Sequence, residues 1–423
     1  MVDPMQDNHL YGVLVALLEL RAWKSADALM SLLRKNGVDA ARDPGVRAAL
    51  RDLLEHTIAE VYKKTPLGTV QAAAAAGKGG TGPSARKDRE DKDKDGDEPP
   101  PHRALGYGEG WSQVHELEGV PYGIYPIVRA LGPYLGLHPR LFAKVCRVMS
   151  AVMVKSSPPL FPLHHRDDPA EQDQEGSKKD KDKRSPPLTP QQEQTRERRR
   201  TRFVMLASLI LPAIGMQRTN LGMGAEAWEM IERLPYLYRF RIYAHWFGHG
   251  LGKEALVDKS AHRKHIMYIV SEHKTDAVAR KVINTMTIEQ IKDAAIKLGK
   301  ASHTNPLVVS NRMLVKLETF DNFVDMNYEA VRHFKTSLSM DVLSYLLVRR
   351  LSPEQHQKRS FVGDDGKDMS GWLTNLASFA GKFYRKYPEQ ELQAILNWAT
   401  ARLTKGGKDA LAGMKVLEEL MRT

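Results

Sequence analysis

Four histidines invite a metal reading. His245 and His249 stand four residues apart, and His262 and His265 follow. Two imidazoles one turn apart on a helix can hold zinc. A hydrolytic zinc helix would also carry a glutamate directly after the first histidine. Here Trp246-Phe247 fill the interval, so no metal site is predicted. Asp364-Asp365-Gly366-Lys367-Asp368 resembles half of a calcium loop, but it lacks the alternating ligands and the closing glutamate. It reads as a solvated loop between helices. Gly222-Met223-Gly224 and Gly248-His249-Gly250-Leu251-Gly252 follow no strand, lack the lysine and hydroxyl residue of a phosphate loop, and read as turns. No nucleophile–base pattern or kinase set is present. No catalytic residue, cofactor or metal is expected, and the chain does not read as an enzyme.

The cationic residues offer binding rather than catalysis. In the run Arg196-Glu197-Arg198-Arg199-Arg200-Thr201-Arg202, the arginines Arg196, Arg198, Arg199, Arg200 and Arg202 form a candidate basic patch for nuclear import or RNA contact. The same run could be the solvated first turn of a helix carrying Val204, Leu206, Leu209 and Ile210. Basic residues at that end would oppose the helix dipole. A second candidate set is Lys300, His303, Asn305, Arg312 and Lys316, around the start of a helix with Val309, Met313 and Leu317 inside. Arg312 and Lys316 are four apart, share a face and are expected to reach solvent, where they would steer an acidic partner. Tyr238-Arg239-Phe240-Arg241 interleaves rings and charge, as RNA binders do. Helical spacing, however, puts Tyr236, Phe240 and Tyr243 on one stripe, which reads as core. Cys146, between Phe142 and Met149 on an apolar stripe, reads as a packing thiol.

The elements that would position these residues are helices. Leu10, Val13, Leu14, Leu17 and Leu18 follow helical spacing, and Ala26, Leu29, Met30 and Leu33 resume it after Arg21-Ala22-Trp23. Further stripes are Leu141/Val145/Val148/Met149/Val152, Val309/Met313/Leu317/Phe320, Leu373/Leu376/Ala377/Ala380/Phe383/Tyr384/Tyr387 and Leu392/Ile395/Leu396/Ala399/Leu403. Thr287-x-x-Gln290 is a capping box. Asn305-Pro306 and Tyr387-Pro388-Glu389 place proline as at a helix start, and Gly406-Gly407 ends a helix. Successive amphipathic helices with short turns predict an all-α chain, an α-solenoid of stacked helical hairpins with two disordered charged insertions.

Those insertions are residues 71–103 and 156–200, rich in charge, proline and glycine and too poor in apolar residues to offset the entropy of ordering. They divide the chain into helical repeats at 1–70, 104–155 and 201–299, and a helical middle domain at 300–423. The 423 residues include 63 basic and 51 acidic, a formal charge of +12. Residues 233–300 hold 13 basic against 6 acidic, so the excess sits in helical sequence. That balance favours acidic partners, either nucleic acid or protein. A single cysteine fits a reducing compartment. No run of about 18 apolar residues predicts a membrane span, and residues 1–10 do not form a signal peptide.

Several segments stand out as distinctive runs. They are Leu17-Leu18-Glu19-Leu20-Arg21-Ala22-Trp23-Lys24, His138-Pro139-Arg140-Leu141-Phe142-Ala143-Lys144-Val145-Cys146-Arg147 and Pro235-Tyr236-Leu237-Tyr238-Arg239-Phe240-Arg241-Ile242-Tyr243. Others are Gly299-Lys300-Ala301-Ser302-His303-Thr304-Asn305-Pro306, Tyr328-Glu329-Ala330-Val331, Met340-Asp341-Val342-Leu343-Ser344-Tyr345, Trp372-Leu373-Thr374-Asn375-Leu376-Ala377-Ser378-Phe379 and Phe383-Tyr384-Arg385-Lys386-Tyr387-Pro388. In sequence and order these segments resemble the THO complex subunit 2 family, relative to which both charged insertions look expanded and whose members are much longer. The resemblance implies a non-catalytic scaffold of the THO and transcription-export complexes, nuclear and engaged in mRNA processing and export. Residues 300–423 would be a middle domain like that of initiation factor 4-gamma, binding a DEAD-box RNA helicase. The implied partners are other THO subunits, that helicase, and mRNA directly or indirectly. A direct, weakly sequence-specific RNA-binding solenoid is the alternative.

Overall fold

A computed structural model describes residues 9–65, 113–155, 190–217, 220–248, 264–352, 360–363 and 368–422. Among them there is no strand, and the one β-type contact is an isolated antiparallel bridge between Val362 and Met369. The chain divides into two compact units, residues 1–134 with 147–156, and residues 135–146 with 157–423. The predicted insertion at 71–103 lies outside the described residues, as do residues 156–189 of the second. Residues 190–200 are helical, which moves the end of that insertion back to 189 at the latest.

The first unit holds α1 (His9–Glu19), α2 (Trp23–Lys35), α3 (Pro44–Lys63) and α4 (Val120–Leu131). Asp43 starts α3: its carboxylate accepts from the Val46 amide at 2.9 Å, and Pro44 takes the first helical position. Leu14 and Leu18 of α1 and Leu50, Leu54 and Ile58 of α3 build the core, and Ile124, Ile127 and Val128 of α4 complete it. The stripe predicted for α1 is rotated. Tyr11, Leu14 and Leu18 face inward, while Leu10 and Val13 are 41% and 50% exposed. Apolar residues surround this helix, so spacing alone could not choose its inner face. The boundary between the units falls within α5 (Pro139–Lys155), whose predicted stripe from Leu141 to Val152 is buried together with Cys146.

In the second unit, α6 (Pro190–Val204) continues into a π-helical turn, Met205–Ile210. A π turn shifts the backbone ladder and frees a carbonyl. The Tyr268 hydroxyl donates to the Leu209 carbonyl there, at 3.2 Å. A hairpin follows, α7 (Leu221–Ile231) and α8 (Tyr236–Trp246). Eight further helices are α9 (Ile266–Asn284), α10 (Ile291–Ser302), α11 (Pro306–Thr319), α12 (Phe323–Val331), α13 (Ser337–Leu351), α14 (Gly371–Lys386), α15 (Gln393–Lys405) and α16 (Gly407–Met421).

These eight form two layers. The odd-numbered helices pack in the order α9, α11, α13, α15, the even-numbered ones in the order α10, α12, α14, α16, and each layer lies on the other. That is the pairing of stacked hairpins. The array begins at α9, so a boundary at residue 300 would cut through α10. Close approach in the even layer needs glycine: a Cβ on Gly299 would stand 2.5 Å from the His333 carbonyl. Gly406, with φ +73°, turns α15 into α16.

Several predicted start signals are used differently. The Thr287 hydroxyl accepts from the Gln290 amide at 3.4 Å, but α10 begins only at Ile291. Pro388 precedes α15 by five residues. Pro306 does open α11, yet Asn305 does not cap it.

Candidate functional site

The α8–α13 seam brings two separate sequence segments into parallel register. Residues 239, 243 and 247 of α8 and its C-cap meet residues 341, 345 and 349 of α13. In the first rung Arg239 grips Asp341 with both arms, Nε to Oδ2 at 2.9 Å and Nη2 to Oδ1 at 3.2 Å. Arg239 Nη2 also donates to Glu391 at 2.8 Å, and Nη1 to the Leu234 carbonyl. The Tyr243 hydroxyl donates to Asp341 Oδ2 at 2.7 Å. Burial and the Asp341 charge hold that phenol protonated, with its pKa well above the ordinary value. In the second rung Tyr345 touches Phe240 and Tyr243, with ring centroids 5.2 and 5.7 Å apart. The third rung places the Arg349 guanidinium 4.8 Å from the Phe247 ring centre.

Sequence reasoning missed this ladder, although its first two rungs lie in segments singled out for resemblance. The available signal was an arginine amid aromatic residues at four-residue spacing, matched by Asp341, Tyr345 and Arg349. The predicted aromatic stripe is core only at Tyr243, and Tyr236 and Phe240 are half-buried. Their rings nonetheless pack together, at 5.5 Å for Tyr236 and Phe240, which leaves them poorly placed to stack on bases.

The predicted cationic site does not assemble as expected. Lys300 is exposed. His303 and Asn305 are buried. His303 Nε2 accepts from the Lys335 amide at 3.3 Å, and burial first, then the Lys335 charge, lowers the imidazole pKa. Asn305 Nδ2 donates to Thr275 Oγ1 at 2.7 Å and Ser271 Oγ at 3.1 Å, tying α9 to the start of α11. Arg312 does not simply point to solvent. It clamps Asp276 of α9 through Nε at 2.7 Å and Nη2 at 2.8 Å. Lys316 lies over Phe320 and Phe323, 4.5 and 5.6 Å from the ring centres. A four-residue spacing identifies a shared face but not what the neighbouring helix presents to it.

The basic run is also changed. It occupies the later part of α6, six to twelve residues from its start, so the dipole argument does not apply. Arg198, Arg199 and Arg200 are half-buried, and Arg200 pairs with Glu197 at 3.6 Å. Arg202 is buried and cannot belong to an exposed patch. The side chain of Arg196 lies outside the described residues.

One pair resembles hydrolytic machinery. Ser208 Oγ lies 2.7 Å from His245 Nε2, the reach of a nucleophile and its base. His245 is buried under the edge of Phe203, however, with ring centroids 5.4 Å apart, so the pair secures the π turn instead of facing a substrate. Of the other histidines, His265 caps α9 at the Met267 amide, and His249 and His262 lie outside the described residues. Among the described residues no three His, Cys, Asp or Glu side chains gather as metal ligands, and no helix is long and apolar enough to cross a membrane.

Two family profiles match the chain and together take in more than half of it. Residues 109–280 match the THO complex subunit 2 N-terminus, and residues 298–377 match a transcription- and export-related complex subunit. The chain belongs to the THO complex subunit 2 family. It is 25% identical over 432 aligned residues to THO complex subunit 2 of Homo sapiens, covering 99% of this chain and 22% of that protein. Against THO complex subunit 2 of Arabidopsis thaliana it is 23% identical over 68% of this chain and 14% of the relative. For Saccharomyces cerevisiae the figures are 22%, 51% and 12%. The chain thus spans less than a quarter of the length of these relatives.

Within the THO complex subunit 2 family segments, the most distinctive motif proves to be packing. In Gly299–Pro306, Gly299 admits the α12–α13 turn, and Ser302 is buried with its carbonyl accepting from Ser339 at 3.2 Å. His303 and Asn305 bind neighbouring helices. Only Lys300 offers its charge outward.

Proposed function

We propose that the chain is a non-catalytic scaffold subunit of the THO complex, acting in the nucleus in mRNA processing and export. It would bind other THO subunits through its helical surfaces and a DEAD-box RNA helicase through residues 300–423. The observation that carries this reading is the match of both family profiles, at 109–280 and 298–377, to a helical chain whose second unit is held together by its own polar seams. Buried arginines and carboxylates that bond one another leave such a frame to act by binding.

The surface that best suits an acidic helicase lobe is the edge where the even-layer helices end. Lys300, Arg332, Lys335 and Arg385 are exposed there. Lys386 lies 4.3 Å from the Tyr328 ring centre, and Tyr387 lies within the field of Arg332. A cationic rim of this kind raises association rates and makes them sensitive to salt. The test is a pull-down from nuclear extract with the tagged full chain. Capture of THO subunits and a DEAD-box helicase supports the proposal. Capture of RNA with neither favours the direct RNA-binding alternative.

A further inference from the structure

Helices α15 and α16 pack on each other as a hairpin, and α16 also lies on α14. The pair meets closely at Gly413, where a Cβ would stand 2.7 Å from the Ala399 carbonyl and 3.4 Å from Leu403 Cγ. Outward from that contact the groove between the two helices is apolar. Leu392, Leu396 and Leu403 line its α15 bank, and Met414, Leu417 and Met421 its α16 bank, each set at helical spacing. Leu417 is half-buried. The other five are exposed, Met414 by 58% and Met421 by 73%. From Leu392 to Leu403 the groove runs about 16 Å, or three helical turns. Apolar side chains gathered along an open groove mark an interaction surface.

Charge selects the occupant. Asp409 is taken by Arg402 at 2.6 Å, and Glu418 and Glu419 by Lys415 at 3.1 and 3.0 Å. Lys405 and Lys408 flank the Gly406-Gly407 turn, both exposed and neither with a carboxylate partner among the described residues. Lys408 lies in the first turn of α16, where a cation opposes the helix dipole. Neither helix offers a free carboxylate, so a second copy packed groove to groove would leave these lysines uncompensated. The complement is a helix that is apolar along one face and acidic at the end meeting the turn. We propose that the α15–α16 groove receives an amphipathic helix of a protein partner, its apolar stripe between the two banks and its acidic end at Lys405 and Lys408. This surface is separate from the cationic edge offered to the helicase. Arg385 of that edge donates to the Arg422 carbonyl at the C-terminal end of α16, whereas the two lysines stand at its N-terminal end. The inference does not depend on the helicase reading.

The test titrates the full chain into two fluorescent helical peptides that share one leucine stripe, one peptide ending in glutamates and the other in lysines. The glutamate peptide should bind more tightly. Met414→Gln combined with Met421→Gln should weaken it by about tenfold or more, since two apolar anchors are lost. Lys405→Glu combined with Lys408→Glu should reverse the preference between the peptides. Thermal melts of both variants should match the wild type, because all four side chains are exposed. Absence of binding, equal affinity for the wild type and the methionine variant, or a preference that survives the lysine reversal overturns the proposal. So does a concentration-dependent dimer in sedimentation that the methionine variant abolishes, which would seat a second copy in the groove.

Discussion

Arg239 and Arg349 occupy the two ends of one seam, in matching register on parallel helices, each against an aromatic ring. Arg239 lies 5.6 Å from the Trp228 ring centre and is bonded to two carboxylates and a carbonyl. Arg349 lies against Phe247 and has no carboxylate among the described residues. The contrast shows that burial of an arginine does not by itself define its role. Where acceptors are built in, the charge locks two hairpins in register. Where they are not, the guanidinium is held against a ring and beside a neighbouring phenol.

The largest expected effect is at the bonded end. Asp341→Asn removes the charge that compensates Arg239 and weakens the acceptor for Tyr243. Breaking a buried pair on one side costs about 3–5 kcal/mol, which a urea titration would register as a large drop in midpoint. A loss below about 1 kcal/mol would make this end no more structural than a surface pair.

Next is the close helix approach that the seam's neighbours require. Gly299→Ala places a methyl group against the His333 carbonyl, and overpacking of this kind costs about 1–3 kcal/mol. An unchanged melt would show that α10 and the α12–α13 turn can part without cost.

A third variant separates a half-exposed pair from the buried one. Arg312 and Asp276 side chains are 34% and 20% exposed. Burial opposes ionisation of Asp276, but its bonds to Arg312 and Arg280 prevail and lower its pKa. Asp276→Asn should cost about 1 kcal/mol, most of it retained at low salt and reduced at high salt. Arg312→Glu should cost more, since it sets two carboxylates together, which corrects the expectation that Arg312 is spare for a partner. Equal stability at both salt concentrations would contradict the role assigned to this clamp.

The smallest effect concerns pH. His303 has a folded-state pKa below its unfolded value near 6.5, so the unfolded chain takes up the proton first. Its contribution is present above pH 6.5 and is lost as pH falls below it. His303→Gln should flatten the stability profile in that window, and an unchanged slope between the two proteins would remove His303 as its source.

The all-α class and most helices were legible because apolar spacing is a strong local signal. The stripe from Leu373 to Tyr384 is buried throughout, and the stripe of α5 likewise. The rotation of α1 was not legible, since Leu10, Val13, Tyr11 and Leu14 supply apolar faces on both sides. Of the cationic set, the expected exposure was legible at Lys300. The partners that claim Arg312, His303 and Asn305 come from Asp276, Lys335 and Ser271, residues 30 or more positions distant or across a turn from another helix. Pairing between helices is set by which hairpins stack, and that information is not local. The same reason hid the Arg239–Asp341 bond, which joins residues separated by 102 positions.

The most direct test of the scaffold reading is a titration of a purified DEAD-box helicase of the export machinery with the full chain, with ATPase activity as a second readout. Saturable binding that weakens as salt rises, a change in the helicase's ATPase rate and no ATPase activity from the chain alone are the expected results. No binding at low salt, with the chain shown folded by circular dichroism, would contradict the account.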